Sequence, residues 1–167
     1  SGGTVALDTI TIVSVKPGTD GADGTDAITV NLTNEAHTFP ASNTGVVSSF
    51  AGSGTTIEVF KGATLLTPVA NTATPSTNEY KVTTNSTTNI TVGSFTLDTS
   101  GDDKSVTIGN HSGVANGTDL SEIEYSINVE NTVTLTKAQN FNKAKEGDPG
   151  DQGPTGPRRA NGYIYYQ

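Results

Sequence analysis

The sequence contains no cysteine and no methionine, and only 6% of its residues are aromatic. Without cysteine, neither a disulfide framework nor thiolate chemistry is open to it. Such a composition suits a protein made in a reducing cytosol. No methionine stands even at position 1, so the expectation is a processed product or part of a longer chain. Nowhere do the ~18 consecutive apolar residues of a membrane helix occur, and no signal-peptide pattern opens the sequence. Positive charge is scarce: 9 Lys and Arg stand against 17 Asp and Glu, for a net charge of −8. That balance argues against nucleic acid or an anionic membrane surface as partners and reads as a solubility device. Charged residues amount to 16%, too few for a disordered polyelectrolyte.

Hydrophobic residues make up 32% of the 167 positions, below the globular norm of about 45–50%. Threonine is the commonest residue, and a core must rest on Ile, Val, Leu and a few Phe and Tyr. β-branched side chains suit a pleated, half-buried surface, so a small β domain is within reach.

Two runs carry glycine at every third position. The first is Gly18-Thr-Asp-Gly21-Ala-Asp-Gly24-Thr-Asp26; the second is Gly147-Asp-Pro-Gly150-Asp-Gln-Gly153-Pro-Thr-Gly156-Pro-Arg158. A strict three-residue glycine period matches three polyproline-II-like chains wound about an axis where only a hydrogen fits. The expectation is a homotrimer whose chains meet at Gly18, Gly21, Gly24, Gly147, Gly150, Gly153 and Gly156. Runs this short need trimeric domains on either side to hold them. The stretch Gly21–Ile28 also differs at one position from the calcium-binding nonapeptide of parallel β-rolls. There is one imperfect copy, however, and the period of the second run has no place in a β-roll.

Between the runs, short apolar alternations recur between turn clusters. Ala27–Leu32 places Ile28, Val30 and Leu32 on one face, and Thr56–Phe60 leads through Lys61-Gly62 to Ala63–Leu66 as a hairpin. Tyr80 and Val82 mark a strand. Another runs from Ile90 past a bulge at Gly93 to Phe95 and Leu97. Val106 and Ile108 follow the turn Ser100–Asp103, and Ile123–Val129 is the strongest strand signal, continued by Val133 and Leu135. The predicted core is Ile28, Val30, Ile57, Val59, Val92, Phe95, Ile123, Tyr125, Ile127 and Val129. Helical periodicity is nowhere sustained. Seven or eight strands in about 115 residues match the rhythm of an immunoglobulin-like antiparallel β-sandwich. The predicted organisation is the end of a preceding β domain or strand over 1–17, a collagen-like connector over 18–26 and the sandwich over 27–146. A second connector over 147–158 and the start of a following β domain over 159–167 complete it.

Candidate chemistry is thin. Asp102 and Asp103 lie in a turn, where solvated carboxylates are ordinary, and Asp98 nearby does not complete an EF-hand spacing. His37 and His111 are far apart in sequence and read as surface or strand-end residues. No nucleophile elbow, phosphate loop or zinc motif occurs. The expectation is therefore no catalytic residue, no metal and no cofactor. Arg158, Arg159, Tyr163, Tyr165 and Tyr166 form the one cluster with binding character, since rings beside basic groups can stack on sugars. The plainer reading is that they pack as strand residues into a following domain.

The order of these elements resembles the modular tail-fibre and tail-tip proteins of tailed bacteriophages. The resemblance rests on the Gly-X-Asp connector running into Ala27–Ala41, on Thr56–Gly62, and on Val133–Gly147 followed by the collagen-like triplets and Arg158–Tyr166. It covers residues from about 18 to the end. It implies a trimeric, virion-borne structural part that spaces or presents host-recognition domains. Its implied partners are copies of itself, other tail or baseplate proteins, and a host surface glycan or protein, with no nucleic acid and no membrane insertion. It implies synthesis in the host bacterial cytoplasm and carries over no catalytic residue. Two other readings stand beside it: a repeat of a bacterial surface adhesin, ordinarily monomeric, and a segment of a glycan depolymerase, which would need convergent acids in a cleft.

Overall fold

Alternating β-branched and polar residues leave the described part of the chain, residue 24 and residues 26–156, built from strands alone in the computed structural model. The strands are β1 (Ile28–Leu32), β2 (Ala36–Ala41), β3 (Thr55–Lys61), β4 (Thr64–Leu65) and β5 (Thr67–Pro68), then β6 (Glu79–Thr88), β7 (Phe95–Asp98), β8 (Ser105–Ile108), β9 (Leu120–Val129) and β10 (Val133–Lys145). One sheet has the order β1-β3-β8-β7, with β4 also paired to β3; the other has the order β2-β10-β9-β6-β5. The architecture is a two-layer, all-β arrangement.

The inner faces of both sheets supply one core. Val30, Ile57, Val59, Val106 and Ile108 come from the first sheet; Phe39, Tyr80, Val82, Ile123, Tyr125, Ile127, Val129 and Phe141 come from the second. Period two in β9 puts Ile123, Tyr125, Ile127 and Val129 on the same inward face, each with no exposed surface. Burying a side chain of this size contributes roughly 1.5–3 kcal/mol, so β9 is the strand on which the second sheet is assembled. Tyr80 and Tyr125 are buried whole, and each hydroxyl keeps a partner: Tyr80 donates to the Ile57 carbonyl at 2.9 Å and Tyr125 to Gln139 Oε1 at 3.0 Å.

Four expectations are corrected. The arrangement is not purely antiparallel, because β2 pairs parallel with β10 and β5 parallel with β6. Both parallel strands lie at a sheet edge and are fed by connections that cross between sheets. The single strand expected from Ile90 to Leu97 is broken at Gly93. Its backbone presses so closely on the Gly109 carbonyl that any Cβ would collide, and only Phe95–Asp98 remain a strand. Ile28, Val92 and Phe95 are half-buried rather than buried, since they pack at the margins of the core. His111, expected at a surface or strand end, is 1% exposed.

The thirteen residues of β10 set the long dimension. At about 3.3 Å per residue the strand runs about 40 Å. Asp26 and Ile28 share a groove with Val133 and Leu135 at the start of β10, whereas the second glycine run leaves from its far end. The chain therefore enters at one pole, here called proximal, and departs from the opposite, distal pole.

Candidate functional site

The distal pole is tied down by lysines. Outgoing Lys143 donates through Nζ to the carbonyls of Gly45 at 2.8 Å and Ala115 at 2.6 Å. Lys145 forms an ion pair with Asp119 at 2.7 Å. Asn43 reaches the first residue after Gly147, donating to Asp148 Oδ1 at 3.3 Å. The loops around Gly45 and Asn116 are thus clamped to the last residues of β10 just before the second glycine run begins.

Residues 147–156, which hold the second glycine run, are exposed and have no regular secondary structure. Gly147, Gly150, Gly153 and Gly156 have no heavy atom within 4 Å of where a Cβ would stand, and none has a left-handed φ. Gly24 shares both properties. Most glycines elsewhere answer a local demand, as at Gly45, where φ is +84° and the Asn116 carbonyl fills the Cβ position. Gly117, in the loop before β9, is as unconstrained as the run glycines but stands alone rather than in a three-residue period. Among the described residues of the two runs, neither backbone conformation nor packing within the chain calls for glycine.

At the proximal pole, the turn between β9 and β10 holds Glu130 and Asn131 at φ 51° and 53°. Two consecutive left-handed residues suit the right-handed twist of a tight hairpin, although Glu130 is an unusual occupant. Its carboxylate is fully used: Lys61 Nζ approaches Oε2 at 2.8 Å and the Asn78 backbone N–H donates to Oε1 at 2.9 Å. The Lys61 hydrogen bond, followed by that from Asn78, holds the carboxyl below its ordinary range. The pairing joins β3, the β9–β10 turn and the loop before β6 beside Asp26.

A closed polar network lies in the core nearer the distal pole. His111 Nδ1 accepts from the Gly93 N–H at 3.1 Å, so Nε2 carries the proton and donates to Gln139 Oε1 at 3.0 Å. Gln139 donates in turn to the Ser53 carbonyl at 2.9 Å, and the Ser53 hydroxyl accepts from the His111 N–H at 2.9 Å and donates to the Phe50 carbonyl at 2.7 Å. Burial lowers the His111 pKa below 6.5, against a smaller raising effect of the Gln139 hydrogen bond. The imidazole is neutral, saturated and sealed against Phe141, whose ring centroid is 5.2 Å away. Every polar atom in it is committed, so the network orients the two sheets and offers no group to a substrate. Nothing in the Thr-rich sequence singled it out. The signal was a histidine and a glutamine at inward strand positions, legible only once the pairing partners are known.

The acidic turn does not converge. Asp98 accepts from the Ser100 backbone and hydroxyl at 3.1 and 3.2 Å, while Asp102 and Asp103 point into solvent. Among the described residues, no group of three His, Asp or Glu lies close enough to hold a metal ion. Among them no helix is long and apolar enough to cross a membrane. Gly18, Gly21, Arg158, Arg159, Tyr163, Tyr165 and Tyr166 lie outside the described residues. Comparison with protein-family models, with curated proteins and with solved structures returned no match.

Proposed function

We propose that this chain is a structural segment of a trimeric fibre of the tail-fibre kind, in which one β-sandwich separates two short triple-stranded connectors. The observation that carries the reading is the glycine pattern at Gly147, Gly150, Gly153 and Gly156. Glycine recurs there without any conformational or steric demand from its own chain, and close approach of two further chains supplies that demand. The disposition of the poles supports it: the chain enters and departs about 40 Å apart along β10, as a bead in a linear fibre must. The strand order supports an immunoglobulin-like module. β1-β3-β8-β7 faces β10-β9-β6, the four-plus-three arrangement of that sandwich, with β2 as an extra edge strand beside β10 and the two-residue β5 as another beside β6.

In this role the sandwich spaces neighbouring modules and each connector sets three-fold register. Nine residues of such a connector add roughly 28 Å. The segment works by geometry rather than catalysis, presenting recognition domains borne elsewhere on a virion tail to a host surface.

The test is Gly150→Ala in the whole chain. In a single chain the added methyl meets nothing, so stability stays level or rises by about 0.4–1 kcal/mol through the unfolded state. In a trimer the methyl meets the axis and the assembly loses thermal stability while the sandwich does not. Native mass measurement gives the stoichiometry directly. A monomer indifferent to Gly150→Ala would refute the fibre reading and favour an adhesin repeat.

A further inference from the structure

We infer that the seam between β1 and the first half of β10, at the proximal pole, is the surface on which a second copy of this chain docks. The inference rests on the trimeric reading and assigns the protein–protein contact within it. Among the described residues, β1 has a partner on one side only, β3. β10 pairs with β9 over Val133–Asn142 but with β2 only over Asn140–Lys145. Among the described residues, β1 and Val133–Gln139 thus present two unpaired edges on the same side of the molecule. A groove of about 380 Å³ opens near their starts, with Ile28, Val133 and Leu135 as its apolar lining and Asp26, Lys61 and Glu130 at its rim. Val133 is 37% exposed.

The remaining edges are protected in ways that β1 is not. β2 carries Pro40, and the edge strand β5 is two residues long and carries Pro68. The rest of β6 beyond it is bent by a bulge between Thr84 and Ser86, and β7 ends at Asp98 ahead of Asp102 and Asp103. Proline, bulges and charge are the usual devices against edge-to-edge pairing. β1, Ile28-Thr-Val-Asn-Leu32, has none of them and is rich in strand-forming residues. An edge left in that state reads as one that is covered.

Chain length says what covers it. Gly24 is four residues before Ile28, so the two lie at most about 14 Å apart. If three chains meet at Gly24, the three copies of Ile28 lie no more than about 24 Å from one another. A five-stranded sheet is itself about 20 Å across. Three such bodies anchored that closely touch at this pole, and the β1–β10 seam is the part of each that adjoins the anchor. The occupant is accordingly the neighbouring copy.

Because the sequence has no cysteine, Val133→Cys introduces a sole thiol of similar size at a half-exposed position. Its reaction with a maleimide is followed in the assembled chain and after dilution has dissociated it. Leu120→Cys, at a position 72% exposed, is the reference. The expected result is a rate ~10-fold or more slower at position 133 in the trimer, recovering on dissociation. Thr29→Lys, on the exposed outer face of β1, should lower the dissociation temperature while leaving the urea midpoint of the sandwich unchanged. A trimer in which position 133 labels as fast as in dissociated chains overturns this inference alone. Slow labelling that persists after dissociation also overturns it and assigns the cover to residues 1–23. A chain that is monomeric throughout overturns both this contact and the fibre reading.

Discussion

His111 Nε2 lies 3.0 Å from Gln139 Oε1, and together the two residues join the loop after β8 to the middle of β10 inside a core that neither sequence neighbourhood announces. Gln139 serves the His111 ring, the Tyr125 hydroxyl and the Ser53 carbonyl at once. Gln139→Leu keeps the volume and strands all three. An unsatisfied buried group costs about 1–3 kcal/mol, so urea unfolding should show a loss of at least about 3 kcal/mol. A loss below about 1 kcal/mol would mean the network relaxes around the substitution.

The same histidine contributes to the loss of stability in acid. Burial lowers its pKa below the 6.5 of an unfolded chain, so on acidification the unfolded state takes up the proton first. The stabilisation is complete above about 6.5 and declines as pH falls below it. Glu130 is held below its ordinary 4.5, so its contribution is present above that value and disappears as pH falls through the lower folded value. The urea midpoint should decline in two stages between neutral and strongly acid pH. His111→Gln should remove the upper stage and leave the lower one.

At the alkaline end the sign reverses. Burial raises the hydroxyl pKa values of Tyr80 and Tyr125 well above 10, helped at Tyr80 by the charge of Glu58. Their neutral forms stabilise the fold up to about pH 10 and progressively less above it. Tyrosinate absorbance from these two residues should rise only together with unfolding. Its appearance while the circular dichroism is still native would contradict their burial.

Lys143→Met removes the ammonium that holds the Gly45 and Ala115 carbonyls while keeping most of the stem. Hydrogen bonds to a charged donor contribute about 1.5–3 kcal/mol when well enclosed. This one is half open to solvent, and a loss of about 1 kcal/mol is expected. Hydrogen exchange should quicken at residues 42–46 and 113–119 and not at the proximal turn around Glu130.

The sequence was most readable where inward and outward positions differed in polarity. Ile123, Tyr125, Ile127 and Val129 announce β9 by clean alternation, and Thr56–Leu66 announces the β3–β4 hairpin by an apolar alternation that resumes after the turn at Gly62. β2 escaped because Pro40 reads as a strand breaker. It is tolerated on an edge, where a missing N–H need not break a ladder between two neighbours. The second half of β10 escaped because its inward residue Gln139 is polar and looks like a solvent-facing position. Its partners are His111, Tyr125 and Ser53, up to 86 residues away, and no local window contains them. The glycine period stood out in the sequence, whereas no contact within the described chain accounts for Gly147, Gly150, Gly153 or Gly156.

The parallel pairing of β2 with β10 has a mechanical consequence. Both strands run from the proximal towards the distal pole, in register from Ala36 opposite Asn140 to Ala41 opposite Lys145. A pull on the incoming chain drags β2 one way, and a pull on the outgoing chain drags β10 the other. The applied tension therefore acts along the strands and across their evenly spaced bonds. Six residue pairs must slip together instead of peeling apart one after another. A module wired in this way resists stretching along its length far better than it resists prying from the side.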